Sequence, residues 1–118
     1  MLSISGTEKV YLAVGSTDMR RSIDGLAVIV QQCFSLDPFS SNLFVFCNKK
    51  RTMIKILHWD HNGFWLYFRR LEKGTFKWPS DNSTDTIQIG NRELYWLLTG
   101  LSIEQKKAHR KVASNAVI

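Results

Sequence analysis

The chain has little cysteine, little proline and no long apolar run. Its 118 residues include two cysteines, Cys33 and Cys47, and two prolines. Two thiols cannot build a disulfide framework, and they suit a reducing, cytoplasmic setting. No apolar run exceeds five residues, as in Leu26–Val30 and Leu43–Cys47, far short of the ~20 needed to span a bilayer. The opening MLSISGTEKV has neither a basic leader nor an apolar core, so no signal peptide and no membrane partner are expected. The seven glycines form neither a GxxxxGK[ST] nor a GxGxxG pattern, so no phosphate loop is visible and no cofactor is expected. Acidic residues are also scarce: ten Asp and Glu stand against sixteen Lys and Arg, a formal charge of +6. That balance favours a polyanionic partner, although net charge alone speaks to solubility and non-specific association.

What is present suits one compact fold. Hydrophobic residues make up 44% of the chain and aromatic ones 12%, enough apolar surface to offset the entropy of ordering it. Lys9–Val14 is rich in strand formers and stops at Gly15-Ser16. From Met19 the period changes: Ile23, Leu26, Ala27, Val30 and Phe34 form the stripe of an amphipathic helix over Met19–Phe34. Thr17, Asp18 and Ser22 are all candidate N-caps, and Asp37-Pro38 ends the element. Strand-like runs then follow at Leu43–Asn48, Met53–Asp60, Phe64–Leu71 and Thr75–Trp78, with another at Thr86–Ile89. A short helix over Arg92–Thr99, with Asn91 as cap, stops at Gly100. The short connections predict an α+β domain: an antiparallel meander of four to six strands, one helix packed on it, and a short C-terminal helix. The domain is expected over residues 1–101, with 102–118 as a basic, mobile tail.

Asn62-Gly63 between two strand-like runs is a strong hairpin signal. As a two-residue turn it pairs Trp59 with Leu66, Leu57 with Phe68 and Lys55 with Arg70. A longer loop shifts the partners by two positions and keeps the faces. The far end of this hairpin gathers Lys49, Lys50, Arg51, Lys55, Arg69, Arg70 and Lys73, seven of the sixteen basic residues. Such a cluster fits phosphate neutralisation, with Arg20 and Arg21 as outlying candidates. It also fits the plainer role of solvated charge guarding exposed strands. Trp65, Tyr67, Phe76 and Trp78 offer surfaces for stacking on bases, and Trp65, Tyr67 and Trp78 for anchoring a protein partner.

Other chemistry is thin. His58, Asp60 and His61 are the only compact set of potential metal ligands, and no Cys or His elsewhere completes it. Asp18, Asp24, Asp37 and Asp60 are the acids a two-metal nuclease would need, but Asp18 and Asp24, six apart, share no helix face well, and Asp18 and Asp37 read equally well as cap and turn residues. Cys33 and Cys47 both read as buried thiols rather than nucleophiles. Lys106–Lys111 is a second basic stretch, of a kind usually solvated.

The stretch GSTDMRRSIDGLA at Gly15–Ala27, then Asp37-Pro38-Phe39-Ser40, then Leu43–Pro79 closely resembles the small TnpB-type accessory proteins of the bacterial insertion-sequence family sixty-six. The resemblance covers roughly residues 8–100. Residues matching the family pattern include Thr17, Asp18, Met19 and Arg20, as well as Lys55, Trp59, Asp60, Gly63, Trp78 and Pro79; Cys47-Asn48 and Ser40–Asn42 depart from it. It implies a non-enzymatic accessory in transposition, working beside a separate transposase that carries the catalytic carboxylates. From this follow two expectations for function. The first is DNA contact through the seven basic residues; the second is a protein-interaction module that binds or loads the transposase, anchored by Trp65, Tyr67 and Trp78.

Overall fold

The computed structural model describes residues 8–79 and 83–100. The expected tail, including Lys106–Lys111, lies outside the described residues. Five strands, β1 (Val10–Ala13), β2 (Leu43–Cys47), β3 (Met53–Asp60), β4 (Gly63–Arg70) and β5 (Thr86–Ile89), form one sheet in the order β4-β3-β2-β1-β5. The mixed α+β class stands, and β2-β3-β4 is the expected meander. The sheet is not purely antiparallel, however, because β1 pairs parallel with β2, Val10 beside Leu43. The helical stripe between β1 and β2 supplies the crossover that a parallel pair requires. The chain therefore enters β2 in the same direction in which it left β1.

Helix α1 (Ile23–Val28) continues as a π-helical turn over Ile29–Cys33. It starts one turn later than the stripe suggests. The carbonyl oxygens of Met19 and Arg21 accept hydrogen bonds from Lys55 Nζ, both at 2.8 Å, and Asp18 draws the Arg20 N–H into a tight turn at 2.9 Å. Ser22 is the N-cap position and makes no capping bond. At the other end Phe34 donates to the Ile29 carbonyl and Leu36 to that of Val30, closed by Ser35 in the left-handed region at φ 55°. Helix α2 spans Asn91–Leu98; Gly90, not Asn91, is its N-cap position, and Glu93 returns its carboxylate to the Gly90 N–H at 3.1 Å.

Each face of the sheet carries its own apolar cluster. Ala13, Phe44, Phe46 and Leu57 pack with Leu26 and Val30 of the first helix. Val10, Leu12, Val45, Ile54 and Ile56 pack with Leu94 and Leu97 of α2 and with Phe76. Every residue of β2 is buried, since both its faces are covered.

The β3–β4 hairpin corrects the expected register. Asp60 pairs with Gly63, Lys55 with Phe68 and Met53 with Arg70. The two loop residues are therefore His61 and Asn62, and His61 takes the left-handed conformation at φ 60°. Partners shift by two, and the faces are those expected. Thr75–Trp78 is not a strand. Its Phe76 N–H donates to the Arg51 carbonyl at 2.7 Å, and the Trp78 indole donates to the Ala13 carbonyl at 3.0 Å. This segment is a strap that leaves β4, passes the β2–β3 loop and fastens on the end of β1. No helix among the described residues is long and apolar enough to cross a membrane.

Candidate nucleic-acid interface

The strand directions collect particular loops at one end of the sheet. The C-terminal ends of β1, β2 and β4 and the N-terminal ends of β3 and β5 all meet there. Around that end run the β1–α1 loop, the β2–β3 loop and the strap after β4. Arg20 and Arg21 lie in the first, Lys49, Lys50 and Arg51 in the second, and Lys73 and Lys77 in the third. Lys77, exposed on the strap, adds a cation that the seven expected ones do not include.

The seven expected phosphate contacts divide by what their side chains already do. Asn48 builds the loop that carries Lys49 and Lys50. Its Oδ1 accepts the N–H groups of Thr52 at 2.8 Å and Met53 at 3.0 Å, and its Nδ2 donates to Thr52 Oγ1. Lys49 and Lys50 stand exposed at the tip of this braced turn. Arg51, half-buried and at φ 60°, lays its guanidinium over the Trp78 ring at 5.6 Å. Lys55 spends its ammonium on the Met19 and Arg21 carbonyls. Arg70 pairs with Glu72 at 2.9 Å, both well exposed, so its charge is locally balanced. Arg69 and Lys73 are exposed and make no hydrogen bond or ion pair among the described residues. Four cations of the seven are thus free to meet an anion: Lys49, Lys50, Arg69 and Lys73.

Lys49 and Lys50 also border a groove of about 620 Å³, lined by Ser16–Arg20, Asn48 and Met53. The Thr17 N–H, donating to the Cys47 carbonyl at 2.8 Å, fixes one wall. Asp18 stands in this groove, but Arg20 grips its carboxylate from Nε and Nη2 at 2.7–3.1 Å. That grip and the Arg20 backbone N–H hold the Asp18 carboxyl at about 2, below its usual 3.8. With the carboxylate satisfied, the groove offers ammonium groups and the hydroxyls of Ser16 and Thr17. Those two hydroxyls carried no signal in sequence, since no phosphate-loop pattern surrounds them.

The aromatic candidates separate in the same way. Trp65 is 54% exposed; it stacks on Tyr67 with ring centroids 6.0 Å apart and donates its indole N–H to Asp60 at 3.1 Å. Tyr67 is half-buried against the α2-side core. Trp78 belongs to the strap and is committed to Ala13 and Arg51. Phe76 is buried and offers no stacking surface, whereas Phe68, on the other face of the hairpin from Trp65, is 55% exposed at the strand edge.

His58, Asp60 and His61 do not converge as a ligand set. His58 is buried with Nδ1 unpartnered, Asp60 serves Trp65, and His61 forms the turn. Among the described residues no group of three His, Cys, Asp or Glu could hold a metal. Asp37 closes its own turn by accepting the Phe39 N–H at 2.9 Å. Burial raises the Cys47 thiol above its ordinary value despite the nearby Arg51, whereas Cys33, expected to be buried, is exposed at the end of the π-helical turn.

A family model described as IS66 Orf2 like protein matches residues 8–108. The uncharacterized protein y4hO of Sinorhizobium fredii (strain NBRC 101917 / NGR234) is 37% identical over 101 residues, covering 86% of this chain and 87% of that protein. The uncharacterized protein y4jC of the same organism is 30% identical over 101 residues, covering 86% of each. No solved structure matches.

Proposed function

The chain belongs to the IS66 Orf2-like family, and we propose that it serves transposition as a non-catalytic accessory that holds DNA by its phosphates at the loop end of the sheet. The observation that carries this reading is the braced β2–β3 turn. Asn48 fixes the backbone, and the two ammonium groups of Lys49 and Lys50 project beside a groove in which Asp18, the one carboxylate among its described lining residues, is already gripped by Arg20. Fixed cations with no internal anion lose little on meeting a phosphate and release its counterions. Lys73 extends the same end. The element's own transposase is the protein partner that the family role implies.

The test is a salt series. Affinity for duplex carrying the element's ends should fall with salt at a log–log slope of about −0.9 per phosphate contacted. Replacing Lys49 and Lys50 by alanine should flatten the slope by about two contacts' worth. An unchanged slope removes this turn from the interface.

A second reading rests on Trp65, an exposed ring stiffened by its stack on Tyr67, the kind of residue that anchors protein contacts. It makes the chain a module that binds or loads the transposase without touching DNA. Co-purification with transposase from nuclease-treated lysate, lost in Trp65→Ala, together with no measurable DNA affinity, would favour it over the first.

A further inference from the structure

We propose that β4 is a docking edge for a second copy of this chain: two β4 strands pair antiparallel about a twofold axis at Leu66, joining two five-stranded sheets into one of ten.

The two edges of the sheet differ. β5 is four residues long and carries Thr86 and Gln88. β4 is eight residues long, pairs with β3 in unbroken register, and has neither proline nor charge from Gly63 to Phe68. Trp65 and Phe68, on opposite faces, are 54% and 55% exposed. Proteins guard lone edges with short strands, bulges, proline or inward charge. Until Arg69, β4 has none of these.

The backbone shows which groups lack partners among the described residues. The Leu71 N–H donates to the Thr52 carbonyl at 2.8 Å, in phase with the β3–β4 register. Odd-numbered residues of β4 therefore turn their amides toward β3. By the alternation of an antiparallel ladder, Phe64, Leu66 and Phe68 turn theirs outward.

Self-pairing about Leu66 matches those groups to their own copies. Phe64 faces the partner's Phe68, and Leu66 faces the partner's Leu66. Trp65 faces the partner's Tyr67, so the existing Trp65–Tyr67 stack extends across the seam. Arg69 falls opposite the partner's Gly63, which has no side chain. Across β3 from that glycine, on the same face, is the partner's Asp60. The guanidinium can therefore reach that carboxylate at Oδ1, since Oδ2 accepts from the Trp65 indole. A shift of two residues either way breaks the Phe64–Phe68 match and moves Arg69 off the glycine. The antiparallel arrangement also sends the two basic loop ends in opposite directions, so their charges do not meet.

Sedimentation of the full chain, freed of nucleic acid, tests this. A dimer is expected in the micromolar range, and Phe68→Pro should weaken it about tenfold or more, because proline removes an outward donor without touching the β3 ladder. Arg69→Asp should weaken it as well, and Asp60→Arg added to Arg69→Asp should restore it. A wild-type chain that stays monomeric at about 100 μM overturns the proposal, as does a dimer indifferent to a folded Phe68→Pro. Monomers whose Phe64, Leu66 and Phe68 amides resist hydrogen exchange would put another segment of the chain on this edge, and also overturn it. Where Phe68→Pro fails to fold, the charge exchange decides: restoration supports the register, and its absence refutes it.

Discussion

The ammonium of Lys55 and the carbonyl oxygen of Met19 meet at 2.8 Å, thirty-six residues apart in the chain. This bond makes Lys55 a fastener between β3 and the loop that leads into α1. It also keeps Met19 and Arg21 from acting as the first acceptors of a longer helix.

Lys55→Met should therefore lower stability by about 1–3 kcal/mol, the range for losing charge-assisted hydrogen bonds, as read by urea denaturation. The salt slope of DNA binding should not change. A slope that flattens while stability holds would return Lys55 to the phosphate contacts.

The strap makes a second prediction. Phe76 is 2% exposed, so Phe76→Ala should cost about 3–5 kcal/mol. Trp78→Phe keeps most of the apolar surface and loses the indole bond to Ala13, a cost of about 1 kcal/mol. Equal losses in the two variants would mean that the strap is held by packing at Trp78 as well.

The two thiols should react apart. Cys33 is exposed, while Cys47 is fully buried with its thiol raised by that burial. An aromatic disulfide reagent at mildly alkaline pH should consume one thiol quickly, and the second only as the chain unfolds. Two fast equivalents would contradict the burial of β2.

Asp18 has a pH signature. Its carboxyl sits at about 2 in the folded chain because Arg20 grips it, against an ordinary 3.8. The folded value is the lower one, so the stabilisation is whole above about pH 4 and is lost as pH falls through about 2. A carboxyl titration by NMR should place its midpoint near the lower value, and Arg20→Ala should bring it back up.

Much of this architecture was legible in the chain. The periods of two and of 3.6 located the five strands and both helices of the described residues, and the hairpin faces survived a shift in register. The parallel β1–β2 pair was missed, although the helical stripe between them was its cause; local turn signals say nothing about which distant strand a returning chain will join. Thr75–Trp78 misled because an aromatic, alternating run satisfies a strand template even when its amides bond to a loop. Among the basic residues, sequence gave position but not employment. Lys49 and Lys55 look equally available on paper. Only the fold shows that one stands free at a turn while the other is tied to two carbonyls.

The place of β1 in the sheet also constrains how the chain folds. β1 lies between β2 and β5, so one of its ladders waits for Leu43 and the other for Ile89. The β2-β3-β4 meander closes only short loops and can form early; β1 must be captured by segments far along the chain, at a loop-closure cost. The meander should therefore form the nucleus, with β1 captured after the rate-limiting step. Destabilising changes in β1 should slow folding less than they speed unfolding, and changes in β2 or β3 the reverse. A chevron series with Leu12→Ala and Ile56→Val can read the order directly. The first strand the chain makes is the one whose place is completed last.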